Sequence, residues 1–345
     1  MGKMKTFRHI ISCFSKKKIL VIGDIILDRY IQGNVSRISP EAPVPVVLEE
    51  KSFYTPGGAA NVAHNLSALG AGVIQVGKIG NDFEGQLLKR GLKKKGVDIS
   101  GIFFDKKIPT VTKTRVLARH QQIVRIDKEK PDHGGDKKVN QRIINFIKKT
   151  IDECDAIIIS DYGKGLVTPE LVHQVCQFAR AKKKIISVDP KVEHFDYYRK
   201  VTTITPNIRE TENAIRNIKV TSSSGKKLAV RVEKLQSDGD INLAGQELLK
   251  YLDLESLLIT LGERGMRLFE KGKKAVSIKT KAREVYDVTG AGDAVISVFT
   301  LGLVSGATKR QAAELSNFAA GIVVGKMGAV AVSSEELLDA VKGRT

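Results

Sequence analysis

Continuous apolar runs bounded by glycine, proline or aspartate alternate along this chain with stretches whose apolar residues recur every three to four positions. The runs "KKILVIGD" (17–24), "DAIIISD" (155–161), "KKIISVDP" (183–190), "VTTITPN" (201–207) and "SLLITLGERG" (256–265) suit strands buried on both faces of a parallel sheet. Helical patterns over 59–69, 136–154 and 169–182 separate most of them. This alternation predicts an open α/β sheet with right-handed crossovers. Ligands of such sheets bind beyond the C-terminal ends of the strands, which sets Asp24, Asp161, Asp189, Asn207 and Thr260 along one rim.

Two segments break the alternation. Residues 30–58 are proline-rich with short β-prone runs, and residues 102–129 read as several short strands. Together they predict a small antiparallel sheet, contributed by about 30–56 and 102–128, that projects from the main domain. It could close over a site or pair with a second copy of the chain through its edge; two ordinary surface hairpins would give the same pattern. Residues 1–16 read as an N-terminal extension, a short helix or frayed tail, and 17–345 as one domain. The stretch 221–240, rich in Ser, Lys and Gly, reads as a mobile surface excursion.

An apolar fraction of 42% and a charged fraction of 28% over 345 residues are those of a globular protein with a sizeable core. No stretch approaches the ~20 apolar residues of a membrane-spanning helix. The basic N-terminus is followed by no small-residue cleavage site, so the expectation is cytoplasmic, with no membrane partner. Cys13, Cys154 and Cys176 form no C-x-x-C pair, which suits neither a disulfide framework nor a zinc site. The net charge of +19 has two readings: attraction to nucleic acid, anionic lipid or phosphorylated small molecules, or a solvated lysine-rich surface. With no Trp and 6% aromatics a base-stacking platform is poorly supported, which argues against nucleic acid.

The chemistry concentrates in "DVTGAGDAV" (287–295). Its glycines allow a turn into an apolar helix, placing Gly290, Ala291 and Gly292 at a helix N-terminus, an anion hole by geometry and dipole. No G-x-x-x-x-G-K-[ST] string occurs. What stands at the lip of the hole is a carboxylate, Asp293. Phosphoryl transfer from ATP to an alcohol needs both parts, a base for the acceptor hydroxyl and amide donors for the phosphoryl charge. An Asp that merely caps a buried helix would look the same, and the string alone leaves both open.

Other segments add to it. Gly57 and Gly58 let a polyol approach the backbone, and Asn61, in the first turns of the next helix, could bond sugar hydroxyls. Asp24 and Asp28 of "GDIILD" are acceptors suited to the same hydroxyls. Asn207 and Glu210 of "TPNIRE" lie near a strand end, where Glu210 could organise water on Mg²⁺, an ion that keeps several waters.

These four motifs, in this order over roughly 17–342, resemble the ribokinase-like (PfkB) sugar kinase family. The resemblance implies a three-layer α/β/α fold with a mainly parallel sheet and a projecting β-sheet lid. It makes Asp293 the catalytic base and Gly290, Ala291 and Gly292 the anion hole. Asp24, Asp28, Gly57, Gly58 and Asn61 would line the sugar site, and Asn207 and Glu210 would serve the ATP phosphates and Mg²⁺. Thr260, Gly262 and Gly265 match a nucleotide-side turn, Asn317 and Gly321 would flank adenine, and Asp287 would order the turn or a nearby cation. A monovalent cation is a further candidate cofactor.

Within the family, "GDIILDRYIQGNVSRISPEAPVPVV", "PGGAANVAHNLSALGA", "RHQQIVRID", "SDYGKG" and "EVYDVTGAGDAVI" resemble the branch that phosphorylates C1 of D-glycero-D-manno-heptose 7-phosphate in lipopolysaccharide-core (ADP-heptose) synthesis. Many members fuse that kinase to a nucleotidyltransferase, an activity expected here on a separate chain. The phosphate on such a substrate calls for basic residues. Arg115, Arg119, Arg125, Lys164 and Lys191 are the candidates, and each could equally be a solvated surface charge. A kinase for another sugar, sugar phosphate or nucleoside is the nearest alternative, and a homodimer through the lid is the expected assembly.

Overall fold

The computed structural model describes residues 2–119, 121–130, 136–221, 228–230, 234–282 and 285–343. In chain order the strands are β1 (Lys18–Gly23), β2 (Ile25–Ile38), β3 (Pro45–Gly58), β4 (Gly72–Gly80), β5 (Asp98–Asp105), β6 (Val111–Ala118) and β7 (Gln121–Lys128). They continue as β8 (Ala156–Ser160), β9 (Ile185–Asp189), β10 (Thr203–Ile204), β11 (Ser256–Thr260), β12 (Met266–Glu270) and β13 (Val276–Ile278).

Nine strands make the main sheet, in the order β13-β12-β11-β10-β9-β8-β1-β4-β5. Neighbours from β11 to β5 run parallel, and β12 and β13 close one edge antiparallel. The apolar runs behave as their composition requires. Ile19, Leu20, Val21 and Ile22 of β1 are fully buried, pointing alternately to two cores. Helices Lys137–Thr150, Pro169–Ala181 and Asp238–Tyr251 cover one face, and Ala59–Ala68, Ala291–Val304 and Lys309–Val324 the other. The result is the expected three-layer α/β/α fold.

Phe7, Ile10 and Ile11 of helix Gly2–Ser12, with Phe14 behind it, are buried in the second core. Of the two forms expected for residues 1–16, the described residues 2–16 take the short helix, packed through these apolar side chains.

The lid is a four-stranded sheet in the order β3-β2-β6-β7. The hairpins β2–β3 and β6–β7 are antiparallel and lie side by side through a parallel β2–β6 pairing. The lid differs from the expected segments at both ends. The first hairpin spans 25–58, so its base is continuous with β1 and with helix Ala59–Ala68. Residues 102–105 belong to β5 at the main-sheet edge, where Ile102 is buried against the core. Of the 221–240 excursion, residues 222–227 and 231–233 lie outside the described residues. Ser237 and Asp240 form a reciprocal N-cap on helix Asp238–Tyr251.

Candidate active site

Helix Ala291–Val304 is buried from Asp293 to Gly302, so only its first turn reaches the rim. Gly290 makes the entry turn at φ +80°, and a Cβ there would lie 2.8 Å from Asn61 Nδ2. A side chain at 290 is therefore disfavoured both by conformation and by contact. The Ala291 amide folds back onto Val288 O at 3.3 Å. That leaves Gly292 and Asp293 as first-turn amides without an intrahelical acceptor. Gly292 is exposed, with open space beside its Cα. Asp287 fastens the turn from behind, accepting from Thr289 N and Oγ1 at 2.9 and 2.7 Å and from Gly328 N at 3.0 Å. Burial pushes the Asp287 carboxyl up, but those bonds and the charge of Arg115 bring it below the usual range.

Asp293 is 4% exposed. Its Oδ2 accepts from Asn61 Nδ2 at 2.6 Å, and its Oδ1 from the Tyr162 hydroxyl at 3.0 Å. Burial raises its pKa to about 7, against the lowering effect of both hydrogen bonds. That value suits a group that must accept a proton near neutral pH. Tyr162 follows β8, and burial and the adjacent Asp293 charge hold its hydroxyl protonated.

Asp24, just past β1, uses both carboxylate oxygens on the loop after β8. Oδ2 accepts from Tyr162 N and Lys164 N at 2.9 and 3.0 Å, and Oδ1 from Leu166 N at 3.2 Å. Burial, and then repulsion from Asp161, raise its pKa to about 6. Asp161 in turn accepts from Tyr198 Oη at 2.6 Å and lies 2.8 Å from His194 Nδ1. Asp24 therefore shapes the loop that carries Tyr162, a positioning role that the sequence reading did not assign to it.

Asp28 lies on the inner face of the lid, 2.6 Å from Arg115 Nη1. Gly57, in the neighbouring strand, makes room for it: a Cβ there would sit 2.4 Å from Asp28 Oδ2. Gly58 is the N-cap of helix Ala59–Ala68 and brings Asn61 to Asp293. Arg115 also stacks over Tyr30, 5.5 Å from its ring centroid.

The strand registers place Asp28 opposite Lys113, Arg115 opposite Arg125, and Lys113 opposite Asp127. Lys164 reaches Glu129 at 2.7 Å. Burial first, and then repulsion from Lys164, lower the pKa of Lys113. Lys113, Arg115 and Lys164 thus crowd positive charge beneath the lid. Arg125 is exposed and tied to Asp127 at 2.9 Å, and Arg119 occupies the exposed β6–β7 turn at φ +55°. Lys191 is apart from this cluster. It runs alongside Gly163, pairs with Glu193 at 3.4 Å and partly offsets the burial that raises the pKa of Glu210.

Asn207 and Glu210 cap helix Ile208–Thr221 reciprocally: Asn207 N donates to Glu210 Oε2 at 2.8 Å, and Glu210 N to Asn207 Oδ1 at 2.9 Å. Asp189, at the end of β9, has its pKa pushed well up by burial and by Glu210, Asp293 and Asp161. Two neighbouring carboxylates that both resist ionisation suit a divalent cation carrying nucleotide phosphates. Thr260 bridges to Asn207, and Gly262 and Gly265 flank the turn beyond β11. Asn317 Nδ2 donates to Lys279 O at 2.6 Å, and Gly321 lies against the backbone of Lys281 and Ala282. Both hold the segment after β13.

A buried carboxylate at a helix N-terminus, a carboxylate pair on the rim and a cationic lid converge at the C-terminal strand ends. The model of the pfkB family carbohydrate kinases matches residues 16–336. The chain belongs to this family.

Among curated pfkB-type relatives, it is 43% identical over 319 residues to the bifunctional protein HldE of Geobacter sulfurreducens, covering 92% of this chain and 62% of that protein. Its identity to the bifunctional protein HldE of Helicobacter pylori strain J99 is 42% over 322 residues, covering 93% and 65%. The chain thus spans less than two thirds of the length of these relatives. Escherichia coli phosphofructokinase-2 in complex with potassium aligns at a TM-score of 0.74 and 16% identity, over 95% of this chain and 98% of that one. Arabidopsis thaliana ribokinase complexed with ribose and ATP aligns at 0.71 and 18%, over 94% and 99%. At such identities the shared property is the fold.

Two residues of this pfkB site were not singled out by sequence. Tyr162 lies inside the quoted string "SDYGKG", but a tyrosine after a strand carries no chemical signature alone. Lys113 could have been found from strand alternation, since it precedes Arg115 by two positions and so shares its face.

Proposed function

We propose that the protein transfers the γ-phosphoryl group of ATP to the C1 hydroxyl of D-glycero-D-manno-heptose 7-phosphate, giving the β-1,7-bisphosphate. The observation that carries this reading is Asp293, held between Asn61 and Tyr162 with a pKa of about 7. In this reading it takes the hydroxyl proton as the C1 oxygen bonds to phosphorus and the bond from phosphorus to ADP breaks. The Gly292 and Asp293 amides and the helix dipole stabilise charge on the transferring group. Mg²⁺ bound with ATP would offset phosphate charge, and Asp189 and Glu210 are the residues that would hold it, Glu210 through water. Thr260, Gly262, Gly265, Asn317 and Gly321 shape the nucleotide side.

Support for the heptose comes from the resemblance to that kinase branch and from the similarity to the HldE proteins. Lys113, Arg115 and Lys164 are the groups we assign to the substrate's existing phosphate. Initial rates with heptose 7-phosphate, fructose 6-phosphate and ribose test the assignment. A preference for the heptose of at least about tenfold in kcat/KM is expected, and indifference to it would select a sibling kinase.

We further propose lid-to-lid pairing of two copies in the cytoplasm. Leu48, Val124 and Ile126 leave 67%, 47% and 57% of their surface exposed on the lid, which is costly unless covered. Sedimentation of wild type and of Val124→Glu/Ile126→Glu tests this, and a monomeric wild type would reject it. The phosphofructokinase-2 complex with potassium motivates a monovalent-cation requirement, read from rates in K⁺ against Na⁺.

A further inference from the structure

The main sheet has a second, basic end. Strands β9 and β11 reach the catalytic rim at Asp189 and Thr260 and begin at Ile185 and Ser256, roughly 15 Å away for five-residue strands. At that starting end lies an open cavity of about 610 Å³ that shares no lining residue with the site above. Arg180, Lys183, Lys184, Lys200, Lys273 and Lys309 line it, against two acidic residues, Glu255 and Glu270.

Both carboxylates are already taken, by Lys309 at 3.2 Å and by Lys273 at 2.8 Å. Nearby Asp253 is paired with Lys271 at 2.9 Å. Arg180 donates to the Lys200 carbonyl and Lys184 Nζ to the Asp152 carbonyl at 3.4 Å. Among the described residues, Arg180, Lys183, Lys184 and Lys200 make no ion pair. The helix dipole accounts for Arg180, in the last turn of Pro169–Ala181. It does not account for Lys200, which comes from another segment, nor for Lys309, whose place in a first helical turn opposes a cation.

The backbone supplies a second observation. Lys183 and Lys200 stand at φ +53° and +61°, a region where a lysine costs roughly 1 kcal/mol more than glycine. Lys183 occupies the place after a helix where glycine is the usual residue, with its amide and that of Lys184 closing on Arg180 O and Ala179 O at 3.0 and 2.9 Å. Two glycine-type positions therefore carry ammonium groups, and both line the same cavity. The floor adds Ile186, Leu303 and Ala307, with the hydroxyl-bearing Thr202 and Thr308.

We propose that this cavity binds a small molecule carrying two or more linked phosphates, at a site separate from the catalytic one. Lys271 first, and then Lys200 and Arg180 from close by, hold the Asp253 carboxyl below the usual range. Among the described residues Arg180, Lys183, Lys184 and Lys200 nonetheless make no ion pair. Four such cations match an oligophosphate better than a single phosphate, and lysines meet it as adaptable point charges.

Inorganic tripolyphosphate is the probe, titrated calorimetrically into the full chain at physiological salt without sugar, so that the result does not depend on the kinase assignment. Lys183→Asn/Lys200→Asn removes both charges with a residue that tolerates the left-handed conformation. Lys93→Asn/Lys94→Asn, at exposed positions of a helix elsewhere, controls for net charge. Lys113→Ala/Lys164→Ala, combined with Gly290→Ala so that the helix-N-terminal anion site is disturbed too, controls for catalytic-site binding. Expected is saturable binding, with a dissociation constant below about 1 mM. The Lys183/Lys200 variant should weaken it about tenfold, and both controls should leave it intact. Absence of saturable binding overturns the proposal. So does equal weakening in the Lys93/Lys94 control, or loss only in the Lys113/Lys164/Gly290 variant.

Discussion

The Tyr162 hydroxyl donates to Asp293 Oδ1 at 3.0 Å while the amide of the same residue donates to Asp24 Oδ2 at 2.9 Å. One residue thus ties the proposed base to the end of β1. The proposed base is held by a loop whose shape is set by a second buried carboxylate.

Replacing the base tests the centre of this arrangement. Asp293→Asn should fold and bind both substrates while kcat falls by about 10²–10⁴-fold. Rates and substrate titrations on the purified variant check it, and a near-normal kcat would remove Asp293 from the role of base.

The Tyr162 hydroxyl favours the ionised form of Asp293. Tyr162→Phe removes that donor, so the carboxyl pKa should rise above about 7. The acidic limb of the kcat–pH profile should move to higher pH, with KM for ATP little changed. An unshifted limb would leave Tyr162 with packing alone.

Stability should carry the same signature with a fixed sign. The folded-state pKa of Asp293, about 7, is above its unfolded value of about 3.9. The native state therefore binds the extra proton, and this group's contribution to stability falls as pH rises from about 4 through 7. The loss is at most roughly 4 kcal/mol. Melting curves between pH 5 and 8 should show Asp293→Asn gaining on wild type as pH increases.

Truncating the cations beneath the lid separates binding from chemistry. Lys113→Ala and Lys164→Ala should each raise KM for a phosphorylated sugar about tenfold, with a smaller effect on kcat. Arg115→Ala should also destabilise the fold, by about 3 kcal/mol, because it strands the buried Asp28 carboxylate. A denaturant titration reads the second effect and steady-state kinetics the first.

Gly290→Ala should be more damaging than its size suggests. The new Cβ meets Asn61 Nδ2 at 2.8 Å on a backbone at φ +80°, so Asn61 must leave Asp293 or the turn must reopen. Loss of activity with a cost of about 1–2 kcal/mol is expected; full activity would mean that the turn adapts.

The layered fold was legible because the parallel strands are uninterrupted apolar runs, which few other structures require. The turn at 287–293 was legible as a helix entry because glycine accepts the left-handed conformation that Gly290 adopts there. Tyr162 was not, since its contact with Asp293 spans 131 positions and exists only because β8 lies beside β1 in the sheet. Nor was the boundary at 102–110. The run "IFFD" is as β-prone as a lid strand, and only its pairing with β4 assigns it to the main sheet. The hold of Asp24 on the 162–166 loop was not legible either, since its three amide partners are distant in sequence.

The bare Cα of Gly57, where an added Cβ would overlap the Asp28 carboxylate at 2.4 Å from Oδ2, also constrains how this lineage can drift. A side chain can enter at 57 only after the acid at 28 has gone, and losing that acid first frees Arg115 of its partner. The three positions can therefore be exchanged only in a preferred order, so that each substitution is acceptable or harmful according to what preceded it.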